Sequence, residues 1–269
     1  MKKLATALVT PPPIMTMSTT AFAAENPAEV FDRVMEKNNT IQSAEIQSGV
    51  HSVILAKDVI PDGQMKVDMA MHAEMDMQDT TDLKYLAQVA SSILGQDSYS
   101  QVFYTDGYYY VDANGVKLKY PMPLEQIISS VQTGVNTSNM ESSYMKGISL
   151  NEVNGKRVLA YEANPKKLNK NVKEALGTVM NTLGTDINLD MNIQEMKGAY
   201  VLDDNDYIIY MTNYIVYNME VLDQPMTCIT LLETEVQNPG EPVVVTLPST
   251  DGYEDLIGLY DGVIESEVE

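Results

Sequence analysis

Between Gly63 and Thr80 the chain alternates apolar and polar residues with a period of two. Met65, Val67, Met69, Met71, Ala73, Met75 and Met77 hold the odd positions, and Lys66, Asp68, His72, Glu74 and Asp76 hold most of the even ones. Successive side chains of a strand point to opposite faces, so this stretch predicts one strand with a greasy face and a wet face. An antiparallel sheet with one side in water has that pattern. From Met65 to Met77 such a strand would span roughly 44 Å, longer than most, which implies a large and curved sheet. Methionine is a weak β-former, because strands favour branched and aromatic side chains. Its unbranched, polarizable chain suits irregular gaps and surfaces that adapt. The face therefore has two readings: a packed core that happens to use methionine, or the wall of a cavity for variable apolar ligands.

The same pattern reading divides the rest of the chain. Asn26 and Pro27 form a helix start, Asn as the cap and Pro in the first turn. Val30, Phe31, Val34 and Met35 then fall on one side of a short amphipathic helix over 27–39. "SAEIQSGVHSVILAKD" reads as extended, "IPDG" (60–63) as a turn, and together with the methionine strand they make a long hairpin. Over 81–95, Leu83, Leu86, Val89, Ala90, Ile93 and Leu94 recur at threes and fours before Gly95, which predicts a helix. Asp106-Gly107 and Asn114-Gly115 are two-residue hairpin signals inside a tyrosine-rich meander. A short helix is expected over 124–134, a hairpin around Asn154-Gly155, and a longer helix over 165–184 closed by Gly184. Three long strands follow, with turns at "DDND" (203–206) and "LDQP" (222–225). Long strands with one apolar side need that side covered. The inventory therefore predicts an α+β fold: a large curved antiparallel sheet, a half-barrel, with short helices over its concave face.

Composition narrows the setting. Lys2 and Lys3 precede an apolar run that ends in Ala21-Phe22-Ala23, a signal-peptide pattern with cleavage after Ala23. The expected division is a secretory signal over 1–23, one domain over 24–250, and an acidic C-terminal tail over 251–269. No cysteine follows the cleavage site to carry a lipid anchor, and no later run approaches the ~20 apolar residues of a membrane span. A secreted, extracellular protein is expected. The net charge is −21, and losing the signal would remove two lysines more. So acidic a surface repels nucleic-acid phosphates and anionic membranes. Cys228 is the single cysteine, so the fold relies on its core rather than on disulfides. It sits in a strand-like stretch as a buried, inert thiol.

Catalytic signatures are scarce. His51 and His72 lie in strands, too far apart in sequence for a metal pair, and read as polar surface. No nucleophile elbow, zinc-protease or phosphate-loop motif occurs. "DDND" offers calcium-type oxygens without the rest of a calcium loop, and a turn is its expected role. A carboxylate pair for glycan hydrolysis is possible in an acidic chain, but such sites usually bring sugar platforms. Trp is absent here and Phe occurs three times. No cofactor and no metal is expected.

"FDRVMEKNNTIQSAEIQSGV" resembles the helix-then-strand entry of lipoprotein carrier-like domains, and "VFYTDGYYYVDANGVKLKYPMP" resembles hairpins of secreted proteins in that superfamily. The superfamily holds the outer-membrane lipoprotein carriers and the LppX-like and LprG-like lipid-binding lipoproteins of mycobacteria. The resemblance runs over about residues 27–247 and has no catalytic signature to transfer. It implies a half-barrel with a helical lid over an apolar cavity that takes acyl chains. This chain departs in lacking the lipobox cysteine. On that view Met65, Val67, Met69, Met71, Met75 and Met77 line the cavity, and Leu86, Val89 and Ile93 pack from a lid helix over 81–95. The expected role is a secreted, non-enzymatic binder or carrier of a lipid or other apolar molecule, with a cell-envelope protein as a further partner. The rival is a cell-surface interaction module with a packed core and no ligand. A glycan hydrolase stands behind both.

Overall fold

The computed structural model describes residues 25–56, 60, 62–79, 83–127, 140–170, 191–221 and 224–256. Helix α1 (Pro27–Asn38) comes first, capped by the Asn26 side chain, which accepts from the Ala28 amide at 3.1 Å. The strands are β1 (Ser43–Leu55), β2 (Gln64–Asp76), β3 (Lys84–Ile93), β4 (Gln96–Thr105), β5 (Tyr108–Ala113) and β6 (Val116–Pro121). Then follow β7 (Met145–Val153), β8 (Lys156–Ala163), β9 (Asn192–Leu202), β10 (Ile208–Val221), β11 (Gln224–Gln237) and β12 (Glu254–Asp255). All twelve join one sheet in the order β12-β6-β5-β4-β3-β2-β1-β11-β10-β9-β8-β7. Every pairing is antiparallel except β12 with β6. The large antiparallel sheet expected from the alternation is present, and it stays open instead of closing into a barrel.

The helix predicted over 81–95 is not there: the segment forms β3 and the turn into β4. Two physical facts made the pattern look helical. Val89 and Ile93 belong to one face of the strand, while Leu86 belongs to the other, where it is also covered. A strand apolar on both sides loses its period of two. Gly95 does not stop a helix; Leu94 (φ 52°) and Gly95 (φ 77°) are the two left-handed residues of a hairpin turn. Asp106-Gly107, Asn114-Gly115 and Asn154-Gly155 adopt the same conformation with the residues that usually signal it. The helix expected over 124–134 is described only at 124–127, and that over 165–184 only at 165–170; their remainders lie outside the described residues.

α1 packs Val30, Phe31, Val34 and Met35 onto Leu159, Tyr161 and Tyr200 of β8 and β9. Phe31 meets the Tyr161 ring edge-on at 5.7 Å. Charge fixes the outer side of the helix. Arg33 donates to Asp206 at 2.9 Å and to Glu25 at 3.1 Å, and Arg157 of β8 reaches the same two carboxylates. Asn38 donates to the Asp206 carbonyl at 3.1 Å and accepts from the Ile208 amide at 2.9 Å. The helix is thereby locked to the β9–β10 turn. A strap after β11 covers part of the other face. The Gly240 amide donates to the Ser43 carbonyl and the Val243 amide to the Ser43 hydroxyl. Val245 and Tyr253 then bury Leu86, Phe103 and Tyr110. The acidic C-terminal segment thus begins as part of the sheet, through β12.

Two expected outcomes follow. Burial alone would raise the Asp206 carboxyl, but hydrogen bonds from Arg33 and Arg157 outweigh it and hold the group below the ordinary aspartate value. A depressed pKa stabilises the fold above the unfolded value and loses that contribution as pH falls through the folded one. Asp206→Asn should therefore lower Tm at neutral pH, by about 1–3 kcal/mol of stability. The gap from wild type should close in acid, read by circular dichroism melts. At Gly198 a Cβ would collide with the Asn213 side chain and lie 2.9 Å from the Tyr161 hydroxyl. Gly198→Ala should cost about 1–3 kcal/mol in urea unfolding, as overpacking does.

Candidate functional site

The sheet's inner face is organised in rows set by strand register. Ala44 of β1 pairs with Met75, Ile46 with Ala73, Ser48 with Met71 and Val50 with Met69. On the other side of β1, Val236, Thr234 and Leu232 of β11 continue the rows from Ile46, Ser48 and Val50. Tyr120 of β6 and Tyr200 of β9 both line the same cavity as these side chains. Eight strand spacings separate β6 from β9 in the sheet order. In a flat sheet they would stand about 38 Å apart. The sheet must therefore curl around the cavity. Bulges in the β9–β10 and β7–β8 pairings supply extra twist at that end.

The cavity measures about 570 Å³, within the range of small-molecule sites. Among the described residues its lining holds no Asp, Glu, Lys, Arg or His. Its polar atoms are hydroxyls and amides, and several are already satisfied. Ser48 and Thr234 bond each other at 2.9 Å, so the middle of the wall is polar in name only. Exposure rises along β2, from 1% at Met75 to 39% at Met69. The cavity is closed at the Met75 end, where Ile41, Met122 and Ile127 pack, and opens toward Met69.

Of the residues singled out from the sequence, Met69, Met71, Met75 and Val89 line this cavity. Met77 is buried just beyond the strand, in the core with Leu83 and Tyr104. Met65 and Val67 continue the same face in register with Ile54 and Ser52, outside the cavity lining. Ile93, opposite Val67, is 44% exposed at the strand end. Leu86 faces the opposite way, into the strap cluster with Phe103 and Tyr253. None of Leu86, Val89 and Ile93 belongs to a lid helix. Pattern reading missed Ile46, Val50, Leu232 and Val236, whose own period of two marks them. It also missed the tyrosine row: Tyr85, Tyr104, Tyr109 and Tyr120 stand opposite one another across β3 to β6. Tyr104 donates to the Met122 carbonyl at 3.3 Å. Burial pushes the Tyr85, Tyr109 and Tyr120 phenols above their ordinary value, Tyr109 furthest because Tyr85 and Tyr120 add to it.

The chain matches, over residues 26–238, the model of a family of unknown function, DUF6612. The protein belongs to that family. Its structure is similar to that of LprF from Mycobacterium bovis, at 10% identity and a TM-score of 0.37, covering 83% of this chain and 97% of that one. It is similar also to the lipoprotein LppX of Mycobacterium tuberculosis, at 8% identity and a TM-score of 0.35, covering 82% and 98%. A β-barrel-like DUF1849 protein of Brucella abortus follows at 10% identity and 0.25, covering 74% and 100%. LppX-like proteins are those the sequence resembled. At such scores the likeness leaves the ligand question to the cavity. No curated protein matches the sequence.

The reactive side chains lie elsewhere. His51 pairs with Asp68 at 2.8 Å and His72 with Glu45 at 3.1 Å, on the sheet's outer face. A wider polar groove crosses that face, where Tyr210 donates to Glu233 at 2.7 Å. Cys228 is buried 3.7 Å from the Met219 sulfur, and burial pushes its thiol up despite a hydrogen bond with Tyr217. Among the described residues no group of three or more His, Cys, Asp or Glu is placed to hold a metal ion. No described helix is long and apolar enough to cross a membrane.

Proposed function

We propose that this protein is a secreted, non-enzymatic binder or carrier of a lipid or other apolar molecule, held in the cavity behind the methionine strand. The observation that carries the reading is the cavity itself: about 570 Å³ walled mostly by aliphatic, methionine and tyrosine side chains, with no charged group among its described lining residues. A space so lined loses free energy if it stays wet and gains by excluding water around an apolar guest. Methionines suit a wall that meets guests of differing shape, because their rotamers and polarizable sulfur adapt. The cavity mouth lies where Met69 is exposed, so a chain can enter along β2. The secreted setting rests on the Lys2–Ala23 pattern and on the acidic surface.

Native mass spectrometry of protein purified from its host, followed by organic extraction, should show an added mass that extracts as an acyl-containing molecule. The double substitution Met69→Asp and Met71→Asp should abolish uptake of a fluorescent fatty acyl probe. Unchanged uptake by a folded double variant would place binding elsewhere. A clean apo mass with no uptake by wild type would turn the reading toward an interaction module that works by its outer surface.

A further inference from the structure

Besides Asn38, Asn39, Ser48, Tyr200 and Thr234, the polar side chains of the cavity's described lining lie at one place. Tyr85, Tyr109 and Tyr120 line the cavity there, on the row of the sheet that also holds Ala44 and Met75, at the closed end. The register brings them together through Tyr104, the remaining member of the row, and the Tyr109 and Tyr120 rings lie 5.5 Å apart. Tyr104 has spent its hydroxyl on the Met122 carbonyl. Among the described residues no hydrogen bond is made by the hydroxyls of Tyr85, Tyr109 and Tyr120, and all three side chains line the cavity. Elsewhere on the inner face the polar groups answer one another: Ser48 with Thr234, Ser52 with Thr230, Tyr161 with Asn213. Buried polar groups are ordinarily paired. Three donors facing an apolar space, with no acceptor for them among the described residues, form a site that something else completes.

We infer that these three tyrosines form the polar subsite of the cavity, donating to the carbonyl or ether oxygens of an uncharged lipid such as a fatty ester, whose chain runs outward past Met71 and Met69. This rests on the binding role proposed above and names its ligand class. A phenol O–H donates, so the ligand supplies acceptor oxygens. The ligand is uncharged because no described lining residue offers a counter-charge, and the whole chain is strongly acidic. An ion moved there would lose its hydration without an opposite charge to replace it. The phenols themselves report this: burial resists a phenolate on Tyr85, Tyr109 and Tyr120, and the same low-dielectric setting resists a carboxylate.

Three probes of equal chain length separate the terms: hexadecane, methyl hexadecanoate and, at pH 8, the hexadecanoate anion, each delivered from cyclodextrin and read by displacement of a neutral fluorescent hydrocarbon. They are compared on wild type and on the triple variant Tyr85→Phe, Tyr109→Phe, Tyr120→Phe. The rings stay, and removing hydroxyls that have no partner among the described residues leaves the fold intact, which a melt confirms. Wild type should bind the ester at least about tenfold tighter than hexadecane, about 1.4 kcal/mol. The triple variant should lose that preference and keep its affinity for hexadecane. An ester preference that survives in the triple variant overturns the tyrosine subsite. An anion that binds wild type more tightly than the ester overturns the uncharged class. Both of those results leave the binding role standing. If wild type takes up none of the three probes, the binding role falls and the subsite with it.

Discussion

A sheet of twelve strands that is apolar along one face cannot remain flat in water, and hiding that face is the constraint on which the rest of the molecule turns. Each row across the sheet is fixed by backbone register, from Tyr120 through Met75 and Ala44 toward β11. A slip of one residue in any strand would send its apolar set to the wet side. Burying the rows by curling needs fewer added elements than capping them with a second sheet. Curling also leaves a hollow wherever no element fills the inside. The hollow is thus a by-product of the same force that makes the fold, and the side chains around it decide whether it is useful.

The outer face shows the same economy. Most of it is polar and needs no cover: Glu45, Gln47, His72 and Gln88 stand in water and bond their neighbours. The patch of Leu86, Phe103 and Tyr110 is apolar there, and the strap after β11 lies over it. Phe103 and Tyr110 stack at 4.6 Å, and Tyr253 closes on both edge-on. Buried Ser43 anchors the start of the strap with its carbonyl and its hydroxyl. β3 and β4 are consequently covered on two sides, unlike β2.

That difference explains what could and could not be read from the sequence. β2 is covered on one side, so its alternation announces a strand, its facing and its methionine wall. α1 carries its cap, its proline and its apolar stripe in plain order. β3 is covered on both sides, so Leu86 joins Val89 and Ile93 in a false helical period. Leu94-Gly95 strengthens that false period, being a hairpin turn without the Asn or Asp that usually marks one. Once that turn is known to be two residues long, the three successive tight turns fix the register of β3 to β6. The alignment of Tyr85, Tyr104, Tyr109 and Tyr120 then follows by pairing outward from each turn. The cavity's boundary was not legible, because it depends on how far curling brings β9 toward β6. That is a property of accumulated twist, not of any local stretch.

The two readings of the methionine face, packed core and cavity wall, turn out to describe neighbouring parts of one surface. Over β7 to β9 the inside is filled by α1, with Phe31, Leu159 and Tyr161 all buried. The helix ends at Asn38, and its last residues, Met35 and Asn38, already border the hollow. Beyond them nothing described fills the space between β1 and β6. Met75 and Met77 lie where the wall closes and behave as core; Met71 and Met69 lie where it opens. The ion cluster of Arg33, Arg157, Asp206 and Glu25 ties α1 to the β9–β10 turn beside this boundary, and the buried Val30, Phe31 and Val34 seat the helix on the sheet. The size of the hollow therefore depends on where α1 stops as well as on the side chains that line it.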